Sequence, residues 1–360
     1  MVVERKRAVA TGAWIAAEMA ALVLVASIRF DYRDPGLVGR FTTSVRALPF
    51  GHGIDVEGYI RLTEYFRGLA PADSMMPPYC FRIIAPLAAS AIPAAPLTAL
   101  DLVDLASLLA TLLVIDRAMR RMGLGNRARV IGGAMFAVSF PTFYYATVGF
   151  VDPVAVFAVA LLLWCVVADA PVWGTAAVAV LAALVKETNA AFSILPLAFQ
   201  AARGRRTLRD LGPRALIPLA CVAAILGVHA LAPFPDPGFT WKPSLASVAE
   251  NLSRPRTYLS LALTVLIPAS LATMSLVSGR AKAIGAPLLA VLGVGCVLAS
   301  AMYLYSLFSA YTDGRIIWIV YPFAIPIAVA WFRSRETGGV PRSVPGVHRQ
   351  PGHPGGAIGA

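Results

Sequence analysis

Long apolar runs recur along the 360-residue chain, and clusters of basic residues stand at their ends. A run of about 20 apolar residues is long enough to cross the hydrocarbon core of a bilayer as an α-helix. The composition agrees, because 58% of the residues are hydrophobic and only 14% are charged, whereas about a quarter of a typical soluble domain is charged. The sequence therefore predicts an all-α, polytopic transmembrane helix bundle.

The basic clusters set the expected orientation through the positive-inside rule. On that rule the apolar segments make about ten crossings, and both termini lie in the cytoplasm. The first run is interpreted as an uncleaved signal anchor, because it is long enough to span and many spans follow it. The expected crossings are 12–30, 98–118, 130–149, 152–169, 172–200 as a hairpin of two short helices, 214–232, 256–278, 284–308 and 315–333.

Three other segments are not expected to cross. Residues 31–81 are polar and are expected outside, with a juxtamembrane amphipathic helix near 55–66. Residues 83–96 are expected to form a re-entrant or interfacial helix, since their length falls short of the roughly 20 residues that a crossing needs. The Gly- and Pro-rich tail, 336–360, is expected to be a disordered cytoplasmic segment, so residues 1–335 would form the bundle.

The charged dipeptide Lys186-Glu187 interrupts the apolar segment 172–200. One continuous helix would place the following arginines, Arg203 to Arg209, on the outside, whereas a hairpin that turns at Lys186 places them inside. The positive-inside rule favours the hairpin. Because lipid cannot satisfy the backbone of a turn, this turn is expected in a protein-lined recess.

The net charge of +12 does not indicate a nucleic-acid partner, because the basic residues gather at the ends of apolar runs. The four cysteines and four histidines are scattered and lack the spacing of a disulfide framework or a metal site. Nucleic-acid binding and a structural zinc site are therefore not expected.

Unusual polar side chains collect on the expected outer face. Ionisable groups cost about 2.5–3.5 kcal/mol each at the centre of a membrane helix, so they usually face a cavity and have a function. Simpler roles are also open, since terminal charges can snorkel to the interface. Asp55 could be a helix N-cap, and Arg82 could be an interfacial anchor. The two charges at the hairpin turn could pair with each other. The outer set is Asp31, Asp34, Asp55, Glu57, Tyr59, Arg82, Asp152, Lys186, Glu187, Asp313 and Arg315.

Four short motifs, taken in order, resemble the GT-C membrane glycosyltransferases of the mannosyltransferase and arabinosyltransferase type, which use polyprenyl-phosphate sugars as donors. The first motif is an acidic pair followed by a tyrosine, here with one residue inserted between the acids. The resemblance extends over roughly residues 10–333. The motifs are Asp55-Val-Glu57-Gly-Tyr59, Gly149-Phe-Val-Asp152-Pro153, Leu184-Val-Lys186-Glu187 and Asp313-Gly-Arg315 with the later Tyr321-Pro322.

The resemblance implies a transferase in the cell inner (plasma) membrane that acts on its non-cytoplasmic face. Its partners would be a polyprenyl-phosphate sugar donor and membrane lipids. Asp55 would be the general base, and Glu57, Asp31 or Asp34 would assist it or hold a divalent cation, the one possible cofactor. The implied substrate-binding residues are Tyr59, Arg82, Asp152, Lys186, Glu187, Asp313 and Arg315.

A non-catalytic transporter or scaffold for lipid-linked sugars stays open as an alternative. It would bind the same phosphate with the same cations, but it would need no carboxylate at the acceptor. A secondary transporter is less favoured, because segments 214–232, 256–278 and 284–308 carry almost no charge and no internal repeat is evident.

Cysteine labelling in intact cells tests the orientation. In a chain without its native cysteines, Gly51→Cys should react with an impermeant thiol reagent and Arg205→Cys should not, because only residue 51 is expected outside. Labelling at residue 205 but not at residue 51 would overturn the topology.

Overall fold

The computed structural model describes residues 2–28, 54–235, 243–309 and 312–332, and all regular structure in these ranges is helical. The all-α prediction is confirmed for this part of the chain. Within it, five helical segments are long and apolar enough to cross a membrane: Pro96–Arg121, Leu208–Leu231, Pro255–Val277, Ala286–Phe308 and Gly314–Phe332. Ten crossings stay a prediction, and Asp31, Asp34 and the tail 336–360 lie outside the described residues.

Fifteen α-helices are formed by the described residues. In chain order they are α1 (Val2–Ser27), α2 (Ile54–Phe66), α3 (Ile84–Ser90), α4 (Pro96–Arg121), α5 (Asn126–Ala137), α6 (Phe140–Tyr145), α7 (Asp152–Val167), α8 (Val172–Val185), α9 (Leu195–Ala202), α10 (Leu208–Leu231), α11 (Leu245–Ser253), α12 (Pro255–Val277), α13 (Ala286–Ser309), α14 (Gly314–Ile317) and α15 (Tyr321–Val329). The 3₁₀ segments are Ala72–Ser74, Tyr79–Phe81, Glu187–Ile194, Arg280–Ile284, Trp318–Val320 and Ala330–Phe332.

The segment 130–149, expected as one crossing, is two helices with a break between them. Helix α5 ends at Ala137 and α6 begins at Phe140. Ser139 caps the new helix, because its hydroxyl accepts a hydrogen bond from the Thr142 amide at 3.3 Å. Pro141 in the first turn has no amide to pair and a backbone angle suited to a helix start. Because the run is apolar on both sides of the break, its hydropathy does not show that one helix ends and another begins there.

The segment 172–200 does reverse at Lys186. Helix α8 ends at Val185, and Lys186 is extended, with φ −157° and ψ 124°. The chain returns as the 3₁₀ segment Glu187–Ile194 followed by α9. Arg203, after the return arm, donates to Asp169, before the outgoing arm, at 2.8 Å. The two ends of the segment therefore lie together, as a hairpin requires.

The short helix α3 is about half of the expected segment 83–96, and it is held at its C-terminal end by Arg67. Carbonyl groups in the last turn of a helix have no partner within that helix. The Arg67 guanidinium donates to one carbonyl in the last turn of α3, that of Ala89 at 3.2 Å, and to two in the turn that follows it, those of Ile92 and Ala94, each at 2.8 Å. One side chain thus ties α2 to the turn that leads into α4.

Burial separates the central helices from the peripheral ones. In the most apolar window of Gly314–Phe332, 78% of the residues are buried, whereas in that of α10 only 11% are. A helix that is apolar all round and still exposed is suited to lipid contact. The last described segment is therefore the centre of the bundle, where it packs on α12, and α10 lies at its edge.

Loss of the Arg67 contacts should loosen α3. Arg67→Gln should lower the free energy of unfolding by about 1.5–3 kcal/mol, because a charged donor to several carbonyls is removed. The matched control is Arg61→Gln on α2, the helix that Arg67 directly follows, since its half-exposed pair with Glu57 is worth only about 0.3–0.5 kcal/mol. Denaturation in detergent measures both variants, and equal losses would contradict the role of Arg67.

Candidate functional site

Three basic side chains meet at one end of the bundle, and each is paired with a carboxylate from another element. All six side chains are largely buried, with the most exposed, Glu187, at 27%. Hydrogen-bonded ion pairs of this length are strong. The pairs are Arg82 Nε with Glu187 Oε2 at 3.0 Å, Lys186 Nζ with Asp152 Oδ1 at 2.7 Å, and Arg315 Nη2 with Asp55 Oδ2 at 2.9 Å. We call these six residues the ionic cluster.

Arg315 joins two of the pairs. Its Nη2 donates to Asp55, and its Nε lies 3.5 Å from Asp152 Oδ2, where it makes an ion pair. The guanidinium carbon lies 3.9 Å from the centroid of the Phe150 ring, a cation–π contact. Asp152 in turn accepts from Lys186. The first turns of α2, α7 and α14 are thereby bound to the hairpin turn.

The backbone around Arg315 is fixed by polar contacts with α12. The Gly314 amide donates to Ser260 Oγ at 2.9 Å, and a Cβ at position 314 would overlap the Ser260 carbonyl. Asp313 caps α14, because its carboxylate accepts from the Arg315 amide at 3.0 Å. Burial raises the pKa of Asp313. Asp313 therefore positions Arg315 rather than presenting a free carboxylate.

Arg82 is positioned by two tyrosines. Its Nη1 donates to the Tyr59 hydroxyl oxygen at 2.7 Å, and its guanidinium carbon lies 5.6 Å from the centroid of the Tyr79 ring. Tyr79 packs edge-on against Tyr59, and a Cβ at Gly58 would overlap Tyr79. Burial raises the pKa of Tyr59, so its hydroxyl keeps its proton.

Asp55 is held as a carboxylate. Burial alone would raise its pKa, but the charge and hydrogen bond of Arg315, together with the charge of Arg82, lower the pKa below its usual value. A carboxylate with a lowered pKa is a weak general base. Asp55 is therefore a weak proton acceptor for as long as Arg315 is bonded to it.

The ionic cluster, with Tyr59 and Asp313, contains all the predicted site residues except Glu57 and Asp31. Glu57 pairs instead with Arg61 at 3.1 Å, and its side chain is 45% exposed. Asp31 lies outside the described residues. Lys186 and Glu187 each pair with a distant residue, so the idea that they close the hairpin by pairing with each other is wrong.

Sequence reasoning missed two carboxylates beside the cluster. Asp101 and Asp104 on α4 are both at most 1% exposed. Asp101 Oδ1 accepts from the Gly149 amide at 2.9 Å, next to the Phe150 that contacts Arg315. Asp104 Oδ2 has no hydrogen-bond partner. Two acids three residues apart in an apolar run were the signal that could have revealed them.

Metal binding finds no support in the described part of the chain, where no group of three or more His, Cys, Asp or Glu side chains could hold an ion. A divalent cation held by Glu57, Asp31 or Asp34 stays a prediction. No family model, no curated protein and no solved structure matches the chain. The case for function therefore rests on the chemistry of the ionic cluster.

A double-mutant cycle tests whether Asp152 and Lys186 depend on each other. Asp152→Asn should cost roughly 3–5 kcal/mol of unfolding free energy, because it leaves the buried Lys186 ammonium without its carboxylate. Lys186→Met should cost less, because Asp152 keeps its ion pair with Arg315. The double variant should cost clearly less than the sum of the two, by about 0.5–3 kcal/mol.

The matched control for this cycle is the half-exposed pair of Asp169 with Arg203. The cycle of Asp169→Asn and Arg203→Met should give a coupling of only about 0–1 kcal/mol. Additive losses at Asp152 and Lys186 would contradict a coupled buried pair.

Proposed function

We propose that this chain is an integral membrane glycosyltransferase that moves a sugar from a polyprenyl-phosphate donor to an acceptor hydroxyl. The observation that carries the proposal is the ionic cluster, in which three buried cations and three carboxylates, Asp55 among them, lie together. Sugar transfer from a phosphate needs both kinds of group. Cations stabilise the negative charge that develops on the departing phosphate, and a carboxylate removes the proton of the acceptor.

Donor binding would rearrange the pair of Arg315 with Asp55. The phosphate is a bidentate acceptor suited to a guanidinium, so it competes with Asp55 for Arg315. When Arg315 turns to the phosphate, Asp55 loses the charge that lowers its pKa and becomes a stronger base. The donor thus activates the base at the moment when the base is needed.

The transfer step then proceeds by displacement at the anomeric carbon. The acceptor oxygen forms a bond to that carbon, and the bond from the carbon to the phosphate oxygen breaks. The acceptor proton passes to Asp55, and the bonding electrons leave with the polyprenyl phosphate. Asp152 already holds Lys186, and Glu187 and Tyr59 already hold Arg82. The two cations can therefore stabilise the leaving phosphate with little reorganisation.

The proposal includes a GT-C-like fold of about ten crossings in the inner (plasma) membrane, with the cluster on the non-cytoplasmic side and both termini in the cytoplasm. The layout of α4 supports it. Asp101 lies at the cluster end of this helix, and Arg120 and Arg121 lie in its last turn, about 28 Å away at 1.5 Å per residue. Basic residues favour the cytoplasmic side.

A non-catalytic transporter or scaffold for lipid-linked sugars is the second candidate. One observation favours it, which is that Asp55 is already paired with Arg315. In such a protein the carboxylate would serve only to hold the cation in place. Donor binding would then be expected without turnover.

Variants of Asp55 and Lys186 separate the two candidates. In purified protein given a panel of polyprenyl-phosphate sugars, Asp55→Asn should reduce turnover by about 10²–10⁴-fold because the base is lost. Donor binding should survive, since Arg315 is released. Lys186→Met should weaken donor binding by about 1.5–3 kcal/mol, because a phosphate oxygen loses a charged partner.

Glu64→Gln is the matched control, because Glu64 lies on the same helix as Asp55 but outside the ionic cluster. It should leave donor binding and turnover unchanged. Full turnover in Asp55→Asn would exclude Asp55 as the base. Saturable donor binding with no turnover of any donor in the unaltered protein would favour the transporter or scaffold.

A further inference from the structure

A second polar region lies at the opposite end of α4 from the ionic cluster. There a cavity of about 360 Å³ opens between α1, the last turns of α4 and the start of α5. Asp116, which lines it, follows Asp101 by 15 residues on the same helix, so the two regions are about 22 Å apart. The cavity is therefore separate from the proposed transfer site.

On the polar wall of the cavity, Asp116 and Arg129 form an ion pair in which each satisfies the charge of the other. Arg129 donates to both oxygens of Asp116, at 2.8 and 2.6 Å, and to Asn126 Oδ1 at 2.9 Å. This bidentate geometry is the strongest that the two groups can form. Asp116 and Arg129 thus neutralise each other and have little left to offer a ligand.

Two further charged side chains line the cavity without such a partner. Glu18 is only 8% exposed, and its Oε1 has no hydrogen-bond partner. A buried carboxylate oxygen without a donor is costly. Its position is confined by Gly133, where a Cβ would overlap the carboxylate. Arg127 is exposed and makes no ion pair with the described residues.

The remaining wall of the cavity is apolar. It is formed by Trp14 and Ile15 of α1 and by Val130 and Ile131 of α5. Trp14 is 56% exposed, and tryptophan is enriched where a membrane helix meets the headgroup region. A ligand that covers this wall would bring hydrocarbon as well as charge, which is the character of a lipid.

We propose that this cavity binds a phospholipid whose headgroup carries a primary ammonium beside its phosphate, as phosphatidylethanolamine does. The ammonium donates to the unpaired oxygen of Glu18, and the phosphate accepts from Arg127. An acyl chain lies along Trp14 and Ile15. The proposal does not depend on glycosyl transfer, and its test does not use activity.

The charges of the cavity exclude other headgroups. Glu18 and Arg127, the two charged groups of the cavity that make no ion pair with the described residues, sum to zero, so a zwitterion matches them. An anionic lipid brings no positive charge to the Glu18 carboxylate. A choline headgroup has no N–H to give to Glu18, although its net charge is the same. A bare metal ion lacks ligands, because no group of three or more acidic, His or Cys side chains forms in the described residues.

Lipid retention by the full chain tests the proposal. The protein, purified in detergent, is mixed with phosphatidylethanolamine, phosphatidylcholine and phosphatidylglycerol of identical acyl chains, and bound lipid is counted by native mass spectrometry. The ethanolamine lipid should be retained about tenfold or more over the other two, as expected for one charged hydrogen bond. Glu18→Gln should remove this preference, because the amide keeps the shape but not the charge.

Two further variants make the result specific. Arg127→Gln should weaken retention of all three lipids alike, since each carries the phosphate. It also provides a second test if Glu18→Gln fails to fold. Glu250→Gln is the matched control, because it removes an exposed carboxylate remote from the cavity in sequence, and it should change nothing.

Three results would overturn the proposal. One is equal retention of the three lipids by the unaltered protein. Another is an ethanolamine preference that persists in Glu18→Gln. The third is displacement of the lipid by free glycerophosphoethanolamine at equal concentration, since the soluble headgroup would then bind without use of the apolar wall.

Discussion

A charge buried in an apolar bundle has to be neutralised where it stands, and this requirement organises the end of the molecule that carries the ionic cluster. Moving an isolated ion into a low-dielectric interior costs several kcal/mol even after relaxation. Each of the three buried cations therefore meets a carboxylate from another element, up to 260 residues away in sequence. The helix starts converge at this point because their charges neutralise one another there.

The position of Arg315 depends on residues behind it as well as on its carboxylates. Asp101 holds the Gly149 amide, and Gly149 has φ +77°, which residues other than glycine rarely adopt. Phe150 follows at once and lies against the guanidinium. Asp101 thus acts on Arg315 through two intervening residues. The guanidinium is constrained from three sides, by Asp55, Asp152 and the aromatic ring.

Much of this arrangement could be predicted from the sequence, because charge placement and apolar length are local properties. The positive-inside rule required an even number of crossings between the basic clusters that flank residues 130–200. That requirement predicted the break at Lys186 and placed the polar residues on one face. The pairing could not be predicted. Nothing near Arg82 in sequence indicates that Glu187 is its partner, since that choice depends on the packing of α2, α3 and the hairpin.

Local backbone chemistry explains the other differences. The restart of the helix at Ser139 needs only one hydroxyl cap and one proline, which are weak signals inside a long apolar run. Glu57 and Asp55 are two positions apart, so they point to different sides of one helix. The sequence motif could not tell which of the two acids faces the bundle, and the structure selects Asp55.

The position of Arg315 within the chain has a consequence for biosynthesis. Asp55, Arg82, Asp152 and Lys186 all leave the ribosome before it, and the contact of Gly314 with Ser260 requires α12 to be in place first. Until residue 315 arrives, Asp55 lacks the cation that its ion pair needs. The ion pair of Asp55 is therefore completed only when the last described segment is made. A nascent chain that stalls before this segment carries a carboxylate without its Arg315 partner, which quality control can recognise.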